Sequence, residues 1–231
     1  ARRTLRARFG EGFQVLAVCG AAGDQCPDDL IRWGRSEPQR RGAAGCAELA
    51  RRLAAGVIDA HEHGRRPVCA SPVFRHRHAV LDLPAYVMTG EQKVFYEKLI
   101  ADLTAKGEPD PRSWDGGTVM RARRHLERHA AMGENPRLAA DCNFLRIGDF
   151  AVATNPFELY LEYGQRIKAR SPAVQTVSAQ LTNQSLAYLP TADALSHGHY
   201  SAMPSNIKAG PEGGDLLVRQ SLEHLNALWG E

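Results

Sequence analysis

The sequence predicts an α/β protein, a mixed β-sheet with flanking helices, and three observations carry that expectation. Segments with apolar residues at helical spacing alternate with short β-branched or alternating runs, the order that layers helices against a sheet. Turn residues punctuate these runs, with Gly64, Pro84, Gly148-Asp149 and Pro156 each closing or opening one. At 231 residues, 43% hydrophobic and 24% charged, the chain can bury one substantial core or two small ones. Residues 1–231 are therefore read as a single domain or as half of a larger one.

Taken in order, TLRARFGEG reads as the end of a helix closed by glycine, and Phe13–Cys19 (FQVLAVC) as a buried strand behind it. IRWGRSEPQRRG is polar and rich in turn residues. CAELARRLAAGVIDAHEHG then carries apolar residues at helical spacing until Gly64 stops it. In RPVCASPVFRHRHAVLDLP the series Val73, Arg75, Arg77, Ala79, Leu81 indicates a strand ended by Pro84. EQKVFYEKLIADLTAKG is an amphipathic helix, and the loop EPDPRSWDGG leads into TVMRARRHLERHAAMG, a helix with a basic face. ADCNFLRIGDFAVATNP reads as a hairpin turning at Gly148-Asp149, and FELYLEYGQRIKARSP as a helix starting just past Pro156. AVQTVSAQLTN is a β-branched strand and YLPTADALSHGHYSAMPSN an irregular loop with two tyrosines. GGDLLVRQSLEHLNALWGE closes the chain as an amphipathic helix.

Charge and cysteine usage narrow the function classes. The net charge is +3, but the basic residues are scattered among acids and aromatics make up only 7%, which argues against a nucleic-acid partner. No window approaches the roughly 18 apolar residues of a membrane span, so a soluble globular protein without a transmembrane segment is expected. ARRTLRARFGEGF lacks the apolar core of a secretory signal; a signal would belong to an upstream part, which leaves the compartment open. The five cysteines form no CxxC pair and their odd number points to free thiols.

Chemistry-bearing residues gather at strand exits. In GAAGDQCPDD (Gly20–Asp29), small residues let backbone approach a ligand while Asp24 and Cys26 face outward. Cys26 is placed as a nucleophile or a polar contact, although no neighbouring cation lowers its pKa, and an Asx-type turn accounts equally for the stretch. At NPFELYLEYG, Glu158 falls at a helix start, where it serves as a metal ligand, a general base or a counter-charge to the helix dipole, with Glu162 one turn on. LTNQSLAYLPT presents Tyr188, and Tyr200 follows in SHGHY. Cys26, Glu158 and Tyr188 converge if their strands are neighbours. The histidines are less specific. His125 and His129 have metal-ligand spacing but no HExxH glutamate, so a solvated basic face is expected; His61/His63 and His76/His78 are expected at the surface.

GAAGDQCP, NPFELYLEYGQRIKARSP, LTNQSLAYLPT and HGHYSA, in that order, resemble the C-terminal half of the catalytic domain of neutral, non-lysosomal ceramidases and their bacterial homologues. The resemblance runs from about Phe13 to Trp229, with none of its motifs between about Arg35 and Arg137. It implies a part of a larger ceramidase-type domain that hydrolyses the amide bond of ceramide, or of a related N-acyl lipid amide, a reaction of sphingolipid metabolism. It also implies Zn2+ held by two histidines, a glutamate and a tyrosine. By position the glutamate is Glu158 and the tyrosine Tyr188, with Tyr200 as a second active-site tyrosine that hydrogen-bonds near the metal.

Metal-activated water would attack the amide, with Tyr200 and the amides around Gly23 to Cys26 as candidates to receive the developing oxyanion. The sequence departs from the family twice. Cys26 stands where the family carries an active-site serine, and the two histidine ligands belong to an N-terminal half that this sequence does not resemble, which becomes a required partner. The immunoglobulin-like domain of the ceramidases is not expected within this sequence, which runs to LNALWGE. Two further readings stay beside the amidohydrolase: a catalytically silent binding or structural homologue, and an acyl hydrolase using Cys26 with His197 or His199.

Overall fold

The computed structural model describes residues 1–28, 41–64 and 69–230, so residues 31–40 of the turn-rich IRWGRSEPQRRG segment, and the RPV before Cys69, lie outside the described residues. The chain divides into two compact units, one of Ala1–Val18 with Gln25–Pro72 and one of Cys19–Asp24 with Val73–Glu231.

The first unit pairs helices α1 (Arg2–Phe9) and α2 (Gly42–His63). Leu5 and Ala54 are buried there, and Phe9 stacks on His61 with centroids 4.3 Å apart. Gly10, at φ 98, ends α1 in a conformation that favours glycine. The expected strand Phe13–Cys19 does not form. An apolar run becomes a strand only where another strand takes its N–H and C=O groups, and among the described residues none pairs with Phe13–Val18. The α1 arginines Arg6 and Arg2 instead donate to the carbonyls of Phe13 and Val15, and Leu16 is left 91% exposed.

The second unit confirms the α/β class. Its four-stranded sheet has the order β1 (Phe74–Pro84), β2 (Arg137–Ile147), β3 (Phe150–Thr154), β5 (Gln175–Ala179). The first three run antiparallel and β5 parallel to β3, making the sheet mixed. The hairpin turns at Gly148-Asp149 as expected, with Ile147 paired to Phe150. Strand alternation sends Leu81, Leu83, Cys142, Phe144 and Ala153 to one face. Helices α5 (Leu161–Arg170) and α7 (Pro211–Ala227) cover it with Tyr163, Ile167, Leu217 and Leu225. On the open face His78 Nε2 and His76 Nε2 lie 3.0 and 2.9 Å from Asp141 and Asn143 across the strand pair, so both histidines are surface residues as expected.

Helices α3 (Gly90–Thr104) and α4 (Trp114–Ala130) form a satellite core around Met88, Tyr96 and Ala122. Thr89 and Gln92 close a capping box on α3, and the Ser113 hydroxyl accepts from the Gly116 amide on α4. The basic face expected for α4 is not fully solvated. His125 is 2% exposed, packed against Tyr96, and burial lowers its pKa to about 4, so it is neutral at ordinary pH. No helix among the described residues is long and apolar enough to cross a membrane. All five cysteines are free thiols, and burial pushes the Cys142 thiol up to about 12.

The contact between α5 and α7 admits no larger residue at Gly214, where a Cβ would overlap the Tyr163 ring. Gly214→Ala is expected to destabilise the fold by about 1–3 kcal/mol. Gly56→Ala, at an α2 position where an added Cβ meets nothing within 4 Å, is expected to stabilise by up to about 1 kcal/mol. Urea denaturation of the two variants checks both signs.

Candidate functional site

Past β3 the chain does not enter a helix at once. The buried Asn155 accepts the Phe157 amide on Oδ1 at 3.1 Å, and its own amide donates to Ala179 at 2.9 Å, which fixes the turn before Pro156. Glu158 and Leu159 then form a two-residue strand, β4, parallel to β6 (Tyr188–Leu189), with Glu158 in register with Tyr188. Helix α5 starts only at Leu161, because β6 and the Gln180 side chain claim the backbone of the preceding residues. Glu158 is thus on a strand and not in the first turn of a helix, which removes the helix-dipole account of it. The carboxylate at the start of α5 is Asp24, whose Oδ1 accepts the Leu161 amide at 2.8 Å.

The pairing of β4 with β6 puts Glu158 in register with Tyr188, near enough for its carboxylate to act on the ionisation of the phenol. Burial, and then the carboxylate, push the Tyr188 phenol up to about 12. Tyr200 stands edge-on to Tyr188 with ring centroids 6.1 Å apart and 76° between planes. Its loop is pinned from two sides: Asn206 Nδ2 donates to the Tyr200 carbonyl at 2.7 Å, and the Tyr160 hydroxyl lies 2.7 Å from Ser201 Oγ. Trp114 lies 6.4 Å from the Tyr200 ring, and Tyr200 remains half exposed. Just before Tyr188, Ala187 is held at φ 62, its carbonyl accepting the Glu158 amide at 2.9 Å. A left-handed alanine costs of order 1–2 kcal/mol, and here it aims Tyr188 beside Glu158.

The loop Cys19–Asp24 lies along β4. The Gly23 amide donates to the Leu159 carbonyl at 2.8 Å, and a Cβ on Gly23 would overlap the Glu158 carbonyl. Gln180 Oε1 accepts from both Ala22 and Leu159. Of the amides expected to receive an oxyanion, that of Gly23 is therefore spent on the fold, as is that of the neighbouring Ala22. Gln180 is the residue that sequence reasoning missed. Its only signal was a polar side chain at the end of a β-branched run.

Cys26 is exposed and belongs to the first unit, two residues along the chain from Asp24. The segment expected as an irregular loop contains a short helix, α6 (Ala192–His197); His197 and His199 at its end are exposed and stack on each other, with His197 Nδ1 2.8 Å from the Asp193 carbonyl. Among the described residues no group of three His, Cys, Asp or Glu side chains could hold a metal ion. Glu158 and Tyr188 offer two oxygen donors, fewer than the three or four protein ligands that hold a zinc ion. The described residues do not complete such a site.

At neutral pH Tyr188 is protonated. Because its folded pKa is raised above the ordinary value near 10, its contribution to stability is present below about pH 10 and is lost as pH rises towards 12. Ultraviolet titration of the six tyrosines is expected to show a phenol ionising near 12 that Tyr188→Phe removes. Glu158→Gln should lower it only part of the way, since burial, the larger cause, persists.

No known protein family's sequence profile matches the chain, and no curated protein matches it. Solved structures do. Neutral ceramidase from Pseudomonas aeruginosa superimposes with a TM-score of 0.60 at 17% identity, over 95% of this chain and 38% of that one. A ceramidase complexed with C2 matches at TM-score 0.48 and 13% identity, over 80% of this chain and 34% of that one. The chain thus spans well under half the length of the structures it matches, and the first likeness shows that it has a ceramidase-like fold.

Proposed function

We propose that this chain is part of a zinc-dependent amidohydrolase that cleaves an N-acyl amide, of which ceramide or a related lipid amide is the leading substrate class. The observation that carries the reading is the contact between the Glu158 carboxylate and the Tyr188 phenol on a ceramidase-like fold, with Tyr200 beside them. The two remaining metal ligands are histidines from outside this sequence. Zinc bound there would lower the pKa of a coordinated water towards about 7.

Each residue of the chain has a definite part in this reading. Glu158 and Tyr188 would hold the cation, the first through its carboxylate and the second through a phenol that is protonated in the metal's absence. Tyr200, half exposed at the edge of the pair, offers a hydroxyl to a substrate carbonyl as negative charge develops on it. Asp24 acts on structure, holding the first turn of α5 against the loop that supports β4. Cys26 in place of serine is the feature that favours the second reading, a catalytically silent homologue with a binding or structural role.

Joined to the preceding part of its catalytic domain, the protein is expected to bind one zinc per chain and hydrolyse an N-acyl amide. Tyr200→Phe should lower kcat by about 10²–10³-fold with zinc retained, and Glu158→Gln should lose the metal. Metal analysis beside an amidase assay reads both. Zinc without turnover supports the silent reading. Turnover that survives chelation but not thiol alkylation would support the acyl hydrolase based on Cys26.

A further inference from the structure

A cavity of about 430 Å³ lies where the end of α4, the start of β2 and the Lys208 segment meet. Its size falls in the range of small-molecule sites. Arg128, Arg137 and Lys208 line it together with the apolar Ala131, Met132 and Leu138, and no carboxylate does. Arg137 already has a counter-charge, Asp82, at 3.0 Å. The other two cations have none among the described residues. Lys208 reaches only the Ser185 carbonyl, at 3.5 Å. Arg128 spends Nη2 on His125 Nδ1 and on the Ile207 carbonyl, both at 2.8 Å and both uncharged acceptors, because buried His125 is neutral.

A partly buried guanidinium with no counter-ion is incomplete, since a desolvated charge needs pairing. We propose that this cavity binds a small amphiphilic anion, its oxyanion head on Arg128 and Lys208 and its apolar tail along Ala131, Met132 and Leu138. The site is independent of the hydrolase reading. It is nevertheless tied to the Glu158–Tyr188 pair, because the residue that Arg128 holds, Ile207, bridges to Tyr188 in the backbone.

The test is calorimetric titration of the full chain with octanoate at low ionic strength, with 1-octanol as the uncharged probe of the same tail. Octanoate is expected to bind at least about tenfold more tightly than 1-octanol, and Lys208→Gln and Arg128→Gln should each weaken it by about tenfold or more. Lys168→Gln, which removes an exposed cation from α5, should leave it unchanged. Should Arg128→Gln fail to fold, Lys208→Gln decides. No octanoate binding at millimolar concentration, affinity equal to that of 1-octanol, or indifference to Lys208→Gln would overturn the proposal.

Discussion

Everything at the candidate site depends on a two-residue pairing, β4 against β6. Two strands this short have little stability of their own, so the rest of the unit must hold them. Gln180 and Gly23 do so from the side, through Oε1 on the Leu159 amide and the Gly23 amide on the Leu159 carbonyl. From below, Leu159 and Leu189 point into the core that α5 and α7 close over the main sheet, and both are fully buried. Alternation then leaves the partners Glu158 and Tyr188 on the other side, where they meet.

The electrostatics of that meeting are unfinished in a specific sense. A carboxylate beside a phenol, both partly desolvated, favours the protonated phenol and would favour a cation more strongly still. Among the described residues no cation offsets this: Tyr160 and Tyr200 both oppose ionisation of Tyr188. The arrangement is held in place by a strained left-handed residue at Ala187, and this is the physical ground for reading it as a site. The same reasoning applies at Arg128, where the sign is reversed and the missing partner is an anion.

Much of this was legible in the sequence. Alternation and glycine turns gave β1, the β2–β3 hairpin and the helices α2, α3, α4 and α7, because local pattern and final burial agree there. The motif order also pointed to the ceramidase-like fold before any coordinates. Errors arose where tertiary partners decide. Phe13–Val18 has the composition of a strand but no strand beside it among the described residues. Phe157–Tyr160 has the composition of a helix start but is taken by β6. His125 reads as one more basic residue until Tyr96 buries it. Gln180 was invisible because its importance lies in two backbone amides, one of them about 160 residues away in sequence.

The most direct test of the account is a double-mutant cycle on Glu158→Ala and Tyr188→Phe, read as unfolding free energy at pH 7, where the phenol is protonated. The account predicts a coupling of at least about 0.5 kcal/mol between the two side chains. Additivity within about 0.3 kcal/mol would mean that they do not meet, and the site built on their contact would fall with it.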